Sequence, residues 1–207
     1  MGLPFTRPPS RDALALRWFP SIRHSEIRDY TTYLLSEICN VSVEPHLQPI
    51  TGEVSTSASA NSQDGARLDV AADGFWGSHF ERAFFDVMVF NPYAPSNRQP
   101  QLSVCYCSDE ASKKRAYERW ILEVEHASFT PLIFSATGGL GREATVVYKC
   151  IAAQLSAKWG HSYSATMAWI RTSSTMCIRG ALSTIGHAFN HSPVDLITKV
   201  AQVSFSL

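Results

Sequence analysis

The sequence predicts an α/β fold in which a central mixed β-sheet is flanked by helices. Residues 82–90 are apolar except for Arg82 and Asp86, and they form the strongest predicted strand in the chain. Residues 129–134 are a second apolar run, whose composition predicts a strand buried on both faces. The order helix–strand–strand–strand–helix–strand–helix along the chain is typical of one sheet packed between helices.

The first half of the chain supplies a helix and three of the strands. A helix is predicted from about Ser25 to Ile38, because apolar residues recur there at 3- and 4-residue spacing. Residues 41–43 alternate like the start of a strand, and residues 66–71 form a second short strand. The turn at 74–77 then joins this strand to 82–90, so the two strands are expected to form a hairpin-like pair.

The second half supplies helices at 109–125, 143–159 and 164–170. The glycine-rich loop 136–141 follows a strand and precedes a helix, as phosphate-binding loops do. It lacks the Lys-Ser or Lys-Thr of the P-loop and the spacing of the dinucleotide fingerprint. We therefore predict a tight turn at Gly138, Gly139 and Gly141, with the helix N-terminus facing a DNA phosphate or water.

The chain is predicted to hold one domain, at residues 21–182. Residues 1–20 contain four of the eleven prolines and are expected to be a flexible lead-in. Residues 51–65 are rich in Ser, Thr, Ala and Gly and are expected to be a mobile loop. Residues 183–207 are weakly patterned, and we expect a weakly structured C-terminal extension there.

Composition excludes several classes of function. Lys+Arg and Asp+Glu are both 18, so the net charge of zero predicts neither a nucleic-acid coat nor a membrane-surface protein, although a local basic cleft stays open. No apolar run reaches the roughly 18 residues of a spanning helix, so no membrane partner is expected. The five scattered cysteines contain no C-x-x-C pair, which argues against a zinc knuckle and indicates reduced thiols in an intracellular protein.

Two acids on neighbouring predicted strands are the most informative candidates for chemistry. Asp69 follows Arg67-Leu68, and Asp86 lies within an apolar strand. A carboxylate is rarely buried without a partner. Carboxylates that converge from adjacent strands form a usual oxygen site for Mg²⁺, which can activate water beside a phosphate. The alternative is that both are ordinary strand-end or surface groups.

Basic residues and histidines leave two interpretations open. Lys113, Lys114 and Arg115 lie on the predicted helix 109–125 and could contact phosphate near the acids. They could equally form a solvated helix face with i,i+4 pairing. His24, at the start of the first predicted helix, fits a capping or surface residue, and no G-x-S-x-G motif supports a hydrolase triad.

Several ordered motifs resemble the domain found downstream of reverse transcriptase in retroelement-derived proteins of invertebrate genomes. That domain is similar to the restriction-like endonucleases of non-LTR retrotransposons and to the wider PD-(D/E)xK nuclease fold. The resemblance covers roughly residues 19–182. Its motifs are Phe19-Pro-Ser-Ile-Arg-His-Ser-Glu-Ile-Arg-Asp29, Val43-Glu-Pro-His-Leu-Gln-Pro49, Gly65-Ala-Arg-Leu-Asp69, Arg82-Ala-Phe-Phe-Asp-Val-Met-Val-Phe-Asn-Pro92, Ala94-Pro-Ser-Asn97, Glu125-His-Ala-Ser-Phe-Thr-Pro-Leu-Ile-Phe134, Gly138-Gly-Leu-Gly141 and Met176-Cys-Ile-Arg-Gly180.

The resemblance implies a restriction-endonuclease-like fold and a metal-dependent DNA endonuclease that nicks target DNA. It implies that Asp69 and Asp86 hold Mg²⁺ or Mn²⁺ and that Glu26 assists as a helix acid. The motif lysine would fall at Met88, and Lys114, followed by Tyr117, matches the basic residue that relatives carry on the next helix. The implied partners are the DNA phosphate backbone and a reverse transcriptase domain absent from this chain, and the implied compartment is the nucleus.

Two departures from the family keep other functions open. Leu16-Arg-Trp18 stands where relatives have a Cys/His-rich segment, and the connector between Arg171 and Met176 is shorter than theirs. The alternative is a catalytically inactive retroelement remnant, or a binding module with the same fold. A further alternative is an interaction protein that uses an aromatic surface around Phe75, Trp76, Phe84 and Phe85.

Overall fold

A computed structural model describes residues 11–48, 66–77, 82–97 and 100–180. Its helices and strands follow one another in the predicted order, including the last helix predicted at 164–170. They are α1 (Arg11–Ser36), β1 (Asn40–Val43), β2 (Val70–Asp73), β3 (Arg82–Phe90), α2 (Leu102–Trp120), β4 (Ser128–Ser135), α3 (Arg142–Trp159) and α4 (Tyr163–Ile178). A short 3₁₀ turn covers Pro95–Asn97, and a π-helical turn, Ile121–Glu125, continues α2.

The four strands form one mixed sheet in the order β1-β2-β3-β4. The pairs β1–β2 and β2–β3 are antiparallel, whereas β3 and β4 are parallel and are joined through α2. A parallel pair needs such a crossover, because the chain must return to the same edge of the sheet before it can run in the same direction. The predicted α/β class with a central mixed sheet is confirmed, and β2–β3 is the predicted hairpin.

Both faces of the sheet are covered, which explains why β3 and β4 are so apolar. Phe85, Val87 and Leu132 pack with α1, α3 and α4 in the larger core. On the opposite face, Phe84 and Phe129 belong to a second cluster, which includes Ile121 after α2. Because side chains alternate along a strand, Asp86 shares the α2 face with Phe84. The predicted aromatic surface is therefore wrong: Phe75, Phe84 and Phe85 are buried, and Trp76 is the exposed member of that set.

The first helix begins earlier than the sequence predicts. The expectation of a flexible lead-in through residue 20 and a helix start at Ser25 is wrong for residues 11–20, because α1 begins at Arg11 and continues through Pro20. A proline inside a helix removes one backbone hydrogen bond, so sequence rules place a boundary there. Residues 1–10 lie outside the described part of the chain, as do the predicted loop 51–65 and the predicted extension 183–207.

Three other boundaries differ from the prediction. The ladder of β2 begins at Val70 instead of residue 66, although Arg67 makes an isolated bridge with His46. Helix α2 begins at Leu102 instead of residue 109, because Cys105 and Tyr106 pack against Phe90 and Ile133. Helix α4 extends through Ile178, well past the predicted end at residue 170. The packing of Cys105 and Tyr106 is not visible in the local sequence pattern.

Candidate active site

The two candidate acids lie opposite each other on the α2 face of the β2–β3 hairpin. Val70 pairs with Phe85, and continuing that antiparallel register by one residue sets Asp69 directly across from Asp86. The Asp69 charge raises the pKa of the Asp86 carboxyl group. Both acids line a cleft of about 670 Å³. The predicted convergence of the two side chains is therefore present in the structure.

Asp69 is held to the neighbouring strand by main-chain and side-chain donors. The Val87 N–H donates to Asp69 Oδ2 over 2.6 Å, and His24 Nε2 lies 3.2 Å from the same oxygen. Burial acts to raise the pKa of Asp69, but the hydrogen bond and charge of His24, together with the Val87 N–H, lower it below its usual value. Asp69 therefore carries its negative charge at neutral pH.

The pKa of Asp86 is shifted in the opposite direction. Asp86 is 8% exposed, and burial raises the pKa of its carboxyl group to about 6. The Asp69 charge adds to that shift, whereas the Lys113 ammonium, 2.6 Å from Asp86 Oδ2, opposes it. This Oδ2 atom has a charged neighbour, but no hydrogen-bond partner of ordinary geometry. The lysine ammonium is thus the charged group that stands against this carboxylate.

Helix α2 brings Lys113, and not Lys114, to the acids. Consecutive residues of a helix point about 100° apart, so the two lysines face different neighbours. Lys114 Nζ lies 2.8 Å from Glu143 Oε1 on α3, while Lys113 also lies 5.9 Å from the centre of the Tyr117 ring. The Asp86 charge raises the pKa of Lys113 against the effect of its burial, so this side chain is a cation in the cleft.

Glu26, the helix acid predicted for the site, lies outside the cleft. Glu26 is buried, but it does not line the cleft. Its charge acts on Cys177 of α4, on the side of α1 that faces the larger core. His24 lines the cleft instead. Side chains two positions apart on a helix point about 200° apart. His24 and Glu26 therefore lie on nearly opposite sides of α1.

The two acids are the side chains of the cleft that could hold a divalent cation. Among the residues that the structure describes, no group of three or more His, Cys, Asp and Glu side chains could hold a metal ion. Mg²⁺ does not require such a cage, because it binds through one or two carboxylates and keeps several waters. Asp69 and Asp86 supply two facing carboxyl groups, although the Lys113 ammonium already lies 2.6 Å from Asp86 Oδ2. Mg²⁺ or Mn²⁺ could be held by these two carboxyl groups together with water.

The glycine-rich loop does not present the N-terminus of α3 to a phosphate. Glu110 Oε1 accepts the Glu143 backbone N–H over 3.1 Å, and Glu110 is itself buried. A Cβ at Gly141 would lie 2.5 Å from that same oxygen and 3.2 Å from the Ile133 carbonyl. The predicted turn is present, with Gly138 at φ +96°, but the expected phosphate or water position is wrong, because a carboxylate of α2 occupies it.

Comparisons with known proteins do not assign the chain to a family. No protein-family model matches it, and no curated protein is significantly similar to it. Within the described part of the chain, no helix is long and apolar enough to cross a membrane.

Proposed function

We propose that this chain is a metal-dependent endonuclease-like domain of restriction-endonuclease type, which nicks DNA by hydrolysing a phosphodiester bond. The observation that carries the proposal is the facing pair Asp69 and Asp86 with the Lys113 ammonium 2.6 Å from one of them. A strand–strand–helix arrangement of acid, acid and cation is what the resemblance of the sequence motifs implies. The helical cation supports the proposal with one change, Lys113 in place of Lys114.

In this proposal each side chain has a defined task. Asp69 and Asp86 hold Mg²⁺ or Mn²⁺, which when bound supplies an activated water and neutralises charge on the phosphate. Lys113 faces the scissile phosphate and stabilises the negative charge that develops on its oxygens. Met88, two residues after Asp86, lines the cleft but cannot supply a charge. Glu26 has no task here, because it faces the core.

The proposed partner is DNA, bound through its phosphate backbone. A reverse transcriptase domain outside this chain is proposed as a second partner, and action on chromosomal DNA would place the protein in the nucleus. Binding to phosphates releases counterions, so binding should weaken as salt rises. DNA binding that weakens with salt, without cleavage of the DNA, would identify a DNA-binding module.

An inactive remnant with the same fold is the second candidate. The observation that favours it is that the Lys113 ammonium already lies against Asp86, where it partly balances the charge of the carboxylates. A site whose charge is balanced by a lysine has less need of a cation. The two candidates differ in one measurable property, which is turnover.

The deciding experiment is nicking of supercoiled plasmid in Mg²⁺ or Mn²⁺ by the wild type, Asp86→Asn and Asp73→Asn. Asp73 is a matched control, because it lies on β2 and pairs with Arg82 at the exposed end of the same hairpin. Nicking that is lost in Asp86→Asn and on chelation, but kept in Asp73→Asn, supports the endonuclease. Folded wild type that binds DNA without nicking it favours the inactive module.

A further inference from the structure

His24 links the two strands that carry the acids. Its Nε2 lies 3.2 Å from Asp69 Oδ2 and 3.0 Å from the carbonyl oxygen of Val87. A backbone carbonyl can only accept a hydrogen bond, so Nε2 must carry the hydrogen. In this arrangement the imidazole is a donor toward both oxygens, and its Nε2 lone pair is not available to bind a metal ion.

Val87, Asp69 and His24 each hydrogen-bond to the other two residues. The Val87 N–H donates to Asp69 Oδ2 over 2.6 Å, and its carbonyl accepts from His24, which also reaches that carboxylate oxygen. Val87 directly follows Asp86 on β3. Fixing Asp69 to the main chain of Val87 therefore also fixes its position relative to Asp86.

We propose that His24 is a positioning residue, which holds the Asp69 carboxylate at a set spacing from Asp86 so that the two acids can bind one divalent cation. The inference rests on the proposed function, since it assigns His24 to the same site. It gives α1 a direct part in the site, because His24 reaches the acids from the helix that covers the opposite face of the sheet. Groups that orient metal ligands typically contribute 10–100-fold in metal affinity or activity.

Two other roles for His24 make different predictions. A metal ligand would favour Mn²⁺ over Mg²⁺, because imidazole nitrogen suits transition metals better than Mg²⁺. A general base would be lost with any side chain that cannot accept a proton. A positioning donor can be replaced by the amide N–H of glutamine, which reaches about as far as the imidazole Nε2.

The test compares wild type with His24→Ala, His24→Gln and the control His46→Gln, whose side chain is exposed. Mn²⁺ binding without DNA is measured by electron paramagnetic resonance, and nicking is measured in Mg²⁺ and in Mn²⁺. Circular dichroism and thermal melts confirm that each variant folds. We expect His24→Ala to lose about 10–100-fold in Mn²⁺ affinity or in nicking rate. His24→Gln should regain most of that loss with an unchanged Mg²⁺ to Mn²⁺ rate ratio, and His46→Gln should match wild type.

Each contrary result overturns a different statement. If wild type binds metal and nicks DNA but His24→Ala does both equally well, the role of His24 is wrong and the proposed function stands. If His24→Gln is as impaired as His24→Ala, or changes the metal preference, His24 is a base or a ligand instead. If wild type neither binds Mn²⁺ nor nicks DNA, the proposed function fails and the role of His24 fails with it.

Discussion

The Lys113 ammonium lies 2.6 Å from Asp86 Oδ2, while the adjacent Lys114 pairs with Glu143 on another helix. The two lysines thus form a natural pair of test and control positions. We expect Lys113→Ala to lower the nicking rate by on the order of 10²-fold or more, because it removes a cation from a partly dehydrated site.

Lys114→Ala should keep the wild-type nicking rate and change the free energy of unfolding by less than about 1 kcal/mol, since a partly exposed ion pair contributes little. Initial rates of plasmid nicking and urea denaturation measure both effects. Loss of nicking in Lys114→Ala with full activity in Lys113→Ala would contradict the assignment.

The raised pKa of Asp86 predicts a pH-dependent stability in the absence of metal. The carboxyl titrates near pH 6 in the folded state and near pH 4 when unfolded, so the folded state binds the proton more tightly. The free energy of unfolding should therefore fall as the pH rises from about 4 to about 6, by on the order of 1–3 kcal/mol. Asp69 has a lowered pKa, so its contribution is instead lost as the pH falls below about 4.

Asp86→Asn isolates this effect. In EDTA, the variant should gain stability relative to wild type as the pH rises through that window, and the difference should level off above about pH 7. Denaturation in urea at half-unit pH intervals measures it, with Asp73→Asn as the control. A constant difference between Asp86→Asn and wild type across the range would show that Asp86 is not the titrating group.

A buried hydroxyl pair joins α1 to α3. The Thr31 hydroxyl donates to the Ile27 carbonyl over 2.7 Å, so the Tyr148 hydroxyl, 2.8 Å away, must donate to Thr31 Oγ1. Tyr148→Phe should cost about 1 kcal/mol in the free energy of unfolding. Thr31→Val should cost about 1–3 kcal/mol, because it leaves the Tyr148 hydroxyl buried without that acceptor.

The double variant should cost less than the sum of the single variants, since removing both partners leaves no unpaired group. Thr32→Val is the control, because Thr32 donates to the Arg28 carbonyl in the same manner on the same helix. Simple additivity of the two substitutions would rule out the hydrogen bond between α1 and α3.

The buried Glu110 should stabilise the start of α3. Its carboxylate accepts the Glu143 N–H and lies at the positive end of the helix dipole. We expect Glu110→Ala to cost about 1–2 kcal/mol in the free energy of unfolding, as loss of a helix cap does. Glu118→Ala, at an exposed position of α2, should change stability by less than about 0.5 kcal/mol. Thermal or urea unfolding measures both, and equal costs would contradict a capping role.

The sequence predicted those parts of the site that depend on strand pairing. Asp69 and Asp86 could be paired because a hairpin brings its two strands together whatever the detailed packing. The choice between Lys113 and Lys114 depends on the rotation of α2 about its axis. Cys105 and Tyr106 help to set that rotation by packing against Phe90, a contact that spacing does not reveal.

His24 was missed for a related reason. The predicted helix begins at Ser25, which makes His24 a residue near a helix end, where capping or exposure is typical. In the structure α1 begins at Arg11, and His24 lies within the helix against the main chain of β3. The signal that could have found it is the apolar series of α1, extended one turn toward the N-terminus. Pro20 argues against that extension, because a proline inside a helix removes a backbone hydrogen bond.

Asp86 lies on β3 and Lys113 lies on α2, two elements that follow each other along the chain. Had the lysine stood on β3, strand alternation would have fixed its distance along the chain from Asp86 at two residues. On α2, the same charge reaches the same carboxylate from a separate element, so its position does not require a fixed number of residues between the two groups. The separation between Asp86 and Lys113 along the chain can therefore drift without moving either group in space.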